Sequence, residues 1–130
     1  MDTSVLQEKI DNLLSSVHKL LPDGSNLDIY ADDLSFLNKS IHDQINELYF
    51  QHGRTSEQEA TLCLALLMGY SVSMYANPED ELKKHTILLR TRNILSLLPP
   101  SPLKEDLLLT YNELQHSFSI NHLYLLSNRK

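Results

Sequence analysis

ATLCLALLMGYSVSMYANP, running from Ala60 to Pro78, carries no charged residue. An uncharged run of this length is either a membrane span or a helix enclosed by other helices. Thr61, Ser71, Ser73 and Asn77 interrupt its apolar character, and acidic segments, Glu57-Gln58-Glu59 and Glu79-Asp80-Glu81, flank it on both sides. A span carries lysine or arginine on its cytoplasmic side, so the acidic flanks favour the enclosed helix. Gly69 costs this helix roughly 1 kcal/mol of propensity relative to alanine, which close approach by a neighbouring helix would compensate. The run therefore predicts a central, buried helix in a soluble protein.

Working towards the N-terminus, Thr55 with Gln58 and Ser56 with Glu59 stand at capping-box spacing ahead of this helix. Gly53 suits the left-handed position that closes a preceding helix. That second helix has Leu34, Leu37, Ile41, Ile45, Leu48 and Tyr49 on one face, with Asp32 or Asp33 as its cap. Gly24 to Asp33 reads as a connector pinned to the core by Leu27, Ile29 and Tyr30. The first helix repeats Leu6, Ile10, Leu13, Leu14, Val17, Leu20 and Leu21 at helical spacing, with a Ser4/Gln7 capping box, and stops at Pro22-Asp23-Gly24.

Towards the C-terminus, Asn77 caps a fourth helix that has Pro78 in first position and acidic residues in its first turn. Glu79–Lys83 and Asp80–Lys84 form i,i+4 pairs, and Leu82, Ile87, Leu88, Ile94, Leu95 and Leu98 supply its buried face. Pro99-Pro100-Ser101-Pro102 breaks the chain and starts a fifth helix on Leu103, Leu107, Leu108, Tyr111, Leu114 and Phe118. Ser117-Phe118-Ser119 is a point of interruption, after which Ile120 to Leu126 would form a short sixth helix. The expected fold is all-α: a compact antiparallel bundle of about five helices around a buried third, forming one domain over residues 1–130.

With 11 basic against 17 acidic residues the formal charge is −6, a balance that repels phosphate backbones and argues against nucleic-acid binding. Lys83-Lys84 and Arg90 with Arg92, the largest basic clusters, read as a solvated face. The start MDTSVLQEKID has no basic region of a signal peptide, and with a single cysteine a reducing cytoplasm is the simplest setting. Cys63 lies within the apolar run and reads as a small buried hydrophobe.

Catalytic constellations are missing. The six histidines are scattered, and Glu113-Leu114-Gln115-His116 is a single Glu-x-x-His where a di-iron bundle needs two. No turn of the GxSxG kind positions a serine, and no glycine loop cradles phosphate. Asp32-Asp33 and Glu57 with Glu59 sit at helix starts, where capping and the helix dipole account for them. We expect no enzyme, metal or cofactor. Tyr30, Phe36, Phe50 and Tyr75 fit no single buried stripe; packing beneath the connector is their expected role, and anchoring a protein interface is the alternative.

Three segments resemble the UpxZ family: DGSNLDIYADDLSFLN (Asp23 to Asn38), SEQEATLCLALLMGYSVSMYANPEDE (Ser56 to Glu81) and NILSLLPPSPLKEDLLLTY (Asn93 to Tyr111). They occur in order and cover most of the chain. Asn112 to Lys130 departs from the family, ending HSFSINHLYLLSNRK in place of a more acidic helix. The resemblance implies a regulator of capsular polysaccharide operons. Such a protein inhibits the NusG-like UpxY antitermination proteins encoded by other loci through protein–protein binding. It carries over no interface residues. From the residues themselves, the expected partner-binding set is Tyr30, Asp32, Asp33 and Phe36, which combine loop geometry, aromatics and acid. Leftover apolar surface on a bundle would also permit a homodimer. A small acidic helical chaperone that shields a partner's amphipathic helix is the competing reading.

Overall fold

The computed structural model describes residues 2–20, 31–72 and 78–128, with side chains left undescribed at 20, 31–35 and 116–128. Among the described residues five helices follow one another: α1 (Thr3–Leu20), α2 (Ala31–Leu48), α3 (Ser56–Val72), α4 (Pro78–Leu95) and α5 (Pro102–Asn128). No strand occurs among the described residues. The fold is the expected all-α bundle, and α3 is its centre, packing against each of the other four helices. In addition α1 packs on α2, and α4 on α5.

Its apolar run explains why α3 takes that place. Ala60 and every residue from Leu62 to Leu67 are buried, leaving this helix no polar side to present to water. The surrounding helices each contribute one stripe: Leu6, Ile10, Leu13 and Val17 from α1, Ile41, Ile45 and Leu48 from α2, Ile87, Leu88 and Ile94 from α4, and Leu107 from α5. Each fully buried leucine or isoleucine stabilises the fold by about 1.5–3 kcal/mol relative to exposure. Gly69 is where α2 comes nearest, as its glycine suggested: an added Cβ would lie 2.7 Å from Cδ1 of Ile45.

Helix ends follow local chemistry. Thr55 caps α3, its Oγ1 accepting from the Gln58 N–H at 3.0 Å. The Gln58 side chain reaches back to accept from the Arg54 N–H at 3.0 Å. Ser101 caps α5 by accepting from the Lys104 N–H at 3.2 Å, with Pro102 in first position. At α1 the cap is Asp2 and not Ser4: the Ser4 N–H donates to Asp2 Oδ1 at 3.3 Å, and the Leu6 N–H to the Asp2 carbonyl at 2.8 Å. A carboxylate at a helix start gains from the dipole as well as the hydrogen bond, so Asp2 displaces the serine.

Several other expectations are corrected. Gly53 does not adopt a left-handed φ; its glycine is required because a Cβ there would meet the Glu59 backbone nitrogen at 2.2 Å. α5 continues unbroken through Ser117-Phe118-Ser119, so there is no separate sixth helix. Serine and phenylalanine cost a helix only tenths of a kcal/mol each relative to alanine, too little to stop it. Asp32 and Asp33 are already helical within α2, so neither is its cap. Leu82 is 71% exposed and Leu108 43%, contrary to the buried faces that helical spacing predicts for them. Leu82 precedes Ile87 by five residues, about 140° around a helix of 3.6 residues per turn, which carries it to the far side. The connector from 24 to 30, Tyr75 and the Asn77 cap lie outside the described residues.

Candidate partner-binding surface

Of the expected partner-binding residues, Phe36 is the one whose side chain is described, and it is 76% exposed. Asp32 and Asp33 lie four and three residues before it on α2, and Tyr30 falls outside the described residues. Phe50, at the other end of α2, is 74% exposed and stands edge-on to Tyr49 with ring centroids 4.8 Å apart. The exposure of both phenylalanines overturns the expectation of packing for these two, while Tyr30 and Tyr75 lie outside the described residues. Leu37, Ile41, Ile45 and Leu48 fill the apolar stripe of α2; Phe36 lies to one side of it and Phe50 comes after its end.

Phe36 opens a shallow hollow of about 260 Å³ with Lys39, Ser40, Asp43, Gln44 and Glu47. Gln44 and Glu47 are shared with a second hollow of about 190 Å³ that Lys9, Asn12 and Leu48 complete. Together they mark the seam between α1 and α2, which the Lys9–Glu47 ion pair and the Gln44 amide, donating to Ser16 Oγ at 3.2 Å, bridge. A larger cleft of about 520 Å³ lies between the starts of α1 and α3, lined by Asp2, Ser4, Gln7, Thr55, Glu57 and Gln58 among others. Its polar groups are engaged in folding. Asp2 and Thr55 cap the two helices, and the Gln58 amide donates to the Thr3 carbonyl at 3.0 Å.

Charged groups are also drawn inward, which sequence spacing did not indicate. Arg90 is 14% exposed and clamps Glu59, 15% exposed, donating from Nε to Oε2 at 3.0 Å and from Nη2 to Oε1 at 2.9 Å. The same guanidinium donates to the carbonyls of Tyr49 and Gln51. Glu59 in turn accepts from the Gly53 N–H at 2.8 Å. This network joins the end of α2, the α2–α3 link, α3 and α4. Glu59 is thus more than a dipole partner at a helix start, and Arg90 does not belong to a solvated face.

A second polar group lies between α2 and α4. His42 Nε2 and Asp80 Oδ2 are 3.1 Å apart, and Lys83 reaches Glu79 at 3.3 Å and Asn46 Oδ1 at 3.3 Å. Lys84 turns to Glu81 at 3.2 Å, whereas Asp80 faces His42 across the helix boundary; the expected Asp80–Lys84 pair gives way to these contacts. Lys83 and Lys84 are 19% and 18% exposed, so they too depart from the solvated face expected of them. Cys63 is buried as expected. Burial, reinforced by the Glu59 charge, pushes its thiol up to about 11. Burial likewise raises the Tyr70 hydroxyl, with Asp80 and Tyr49 adding to the effect. Among the described residues no group of histidine, cysteine and carboxylate side chains is placed to hold a metal ion. No described helix is long and apolar enough to cross a membrane.

The arrangement offers a surface for contact, with its charged interior committed to holding helices together. The model of the UpxZ family of transcription anti-terminator antagonists matches residues 10–113. This chain belongs to the UpxZ family. A crystal structure of a transcription anti-terminator antagonist UpxZ from Bacteroides uniformis is 36% identical in sequence, covering 88% of this chain and 75% of that one, with a TM-score of 0.72. No curated protein matches the chain. The family match includes the start of α2 and all of α3 and α4 and ends within α5, so it takes in the Phe36 surface and both polar networks. UpxZ proteins are defined as regulatory antagonists, and it is as such a protein that this bundle is to be understood.

Proposed function

We propose that this UpxZ-family protein acts in the cytoplasm by binding NusG-like antitermination proteins of the UpxY type encoded by other capsular polysaccharide loci, and so lowers transcription of those loci. The single observation supporting this reading is the way charge is sorted. Lys9, Lys83, Lys84, Arg90 and Lys104 are tied to groups of the same chain, while Glu8, Asp11, Asp43, Glu57, Glu105, Asp106 and Glu113 are exposed. Exposed bases are fewer, Lys19, Lys39, Arg54 and Arg92 among the described residues, so the exterior keeps the acidic excess of the whole chain. A factor that works beside RNA polymerase and transcript has to carry cationic surface, which such an exterior can occupy in competition with phosphate. Phe36, with Tyr30, Asp32 and Asp33, supplies the aromatic and acidic anchor in this reading.

The experiment is a binding titration of the purified chain against several UpxY-type proteins at low and high salt. Affinity for the non-cognate proteins should fall as salt rises, because exposed charges are screened over about 8–10 Å at physiological ionic strength. Replacing the anchor by Tyr30→Ala, Asp32→Asn, Asp33→Asn and Phe36→Ala should weaken binding by about tenfold or more in a chain that stays folded. Salt-independent affinity would contradict the electrostatic account. Unchanged affinity in the quadruple variant would remove the anchor.

A further inference from the structure

Among the described residues α2 and α4 both pack on α3 but not on each other. Polar side chains bridge the gap between them. His42 Nε2 stands 3.1 Å from Asp80 Oδ2, and His42 Nδ1 stands 3.4 Å from Asn46 Nδ2. Lys83 Nζ lies 3.3 Å from Asn46 Oδ1. Asp80 is buried and the His42 ring largely so, which limits competition from water for these contacts. Around this chain α4 supplies Asp80, Lys83 and Glu79, α3 supplies the Tyr70 hydroxyl beside Asp80, and α2 itself supplies Tyr49 beneath the Lys83 ammonium. Burial keeps the Tyr70 hydroxyl protonated. α1 meets α2 on its other side, at Gln44 and Glu47.

The direction of each hydrogen bond follows from what each group can do. A lysine ammonium only donates, so Lys83 holds the Asn46 carboxamide with Oδ1 towards itself. Nδ2 then faces His42 and donates to Nδ1, which has to carry a lone pair. The ring proton therefore sits on Nε2 and is donated to the Asp80 carboxylate. The chain closes only on a neutral His42. A proton added at Nδ1 would set one N–H against another. Turning the carboxamide relieves that conflict, because Oδ1 then accepts from Nδ1–H, but it aims Nδ2 at the Lys83 ammonium. Charged His42 keeps Asp80 as its partner, while Lys83 is left with Glu79, which is 77% exposed.

We propose that His42 and Asn46 form a pH-sensitive exchange point between α2 and α4, at which proton uptake by His42 releases Lys83 from Asn46. Imidazole is the side chain that ordinarily changes charge between about pH 5 and 8. On the alkaline side of that change Lys83 is held inward against Asn46. On the acid side the carboxamide oxygen belongs to His42, and the ammonium turns out to the surface of α4. The two events are linked, and linkage is reciprocal, so whatever removes Lys83 from Asn46 favours the proton on His42. The exchange takes place within the free chain and does not rest on the antagonist reading.

Nuclear magnetic resonance of the native chain from about pH 8 to about pH 5, read on the His42 ring nitrogens and the Asn46 carboxamide, tests it. At the alkaline end Nδ1 should be unprotonated and Nε2 protonated. The Asn46 signals should then move with the same midpoint as His42. Lys83→Met frees the carboxamide to turn and should raise the proton affinity of His42 by about fivefold or more. Loss of a nearby positive charge contributes to that gain directly, so Asn46→Leu is the control. With Asn46→Leu in place, the gain from Lys83→Met should be smaller by about threefold or more. Equal gains with and without Asn46 would overturn the proposal. So would a neutral His42 with its proton on Nδ1, or Asn46 signals indifferent to the titration. The native-chain readings need no substitution, so they decide the matter even if a variant fails to fold.

Discussion

A Cβ built on Gly69 would stand 2.7 Å from Cδ1 and 2.9 Å from Cγ1 of Ile45, inside any tolerable contact. Ile45 is fully buried, so its terminal methyl has little room to retreat. Gly69→Ala gains roughly 1 kcal/mol of helix propensity and loses about 1–3 kcal/mol to overpacking. The expected net effect is a destabilisation of about 1 kcal/mol in a denaturant titration. Adding Ile45→Val removes the nearer contact, Cδ1, and keeps the carbon at the Cγ1 position, so the double variant should be more stable than the sum of the singles by about 0.5–1 kcal/mol. Cys63 supplies a second test at this scale. Its thiol is raised from 9.0 to about 11 in the folded chain. The unfolded chain therefore loses that proton first as pH rises. Stability owed to the neutral thiol is complete below about pH 9 and declines by about 2–3 kcal/mol as pH climbs to about 11. Thermal melts across that window should show the decline, and Cys63→Ala should reduce it between pH 9 and 10.

Between elements, the Glu59–Arg90 pair carries the most specific polar contact. Arg90→Met leaves a largely buried carboxylate with the Gly53 N–H and the exposed His52 ring 3.8 Å away but without its guanidinium, and should cost about 3 kcal/mol in urea unfolding. Glu59→Gln together with Arg90→Met should recover part of that loss, since neither charge then needs solvating. A loss below about 0.5 kcal/mol for Arg90→Met would reduce the pair to an ordinary surface contact. This is also the scale at which the sequence was most and least readable. Uninterrupted apolar residues in α3 and stripes at helical spacing in α1 and α2 announce their burial because both signals are local. The Glu59–Arg90 clamp is not local: its partners are 31 positions apart, and no spacing rule relates them. Lys83 and Arg90 reach from α4 to neighbouring helices and Lys84 folds onto Glu81 of its own helix, contacts that helical spacing alone does not reveal. Leu82 and Leu108 show the converse: residue type points to the interior, while both lie outside the buried arc of their helices. Of the partner-binding set, exposure of Phe36 agrees with its inability to fit the apolar stripe of α2.

For the molecule as a whole, wrapping one apolar helix in four others separates duties. The core is held by α3 and the stripes facing it, and the inward basic groups fasten neighbouring helices at their edges. What remains outside among the described residues is a carboxylate-rich surface with apolar side chains set in it, Phe36 and Phe50 near the two ends of α2 and several leucines of α4 and α5 among them. From Ala60 to Gly69, α3 gives almost nothing to the exterior. Mutations that redirect such a protein from one target to another must therefore accumulate on the four enclosing helices and their links. The middle of the chain can stay unchanged while the shell diversifies, so a set of closely related antagonists could share one scaffold and differ in whom they silence.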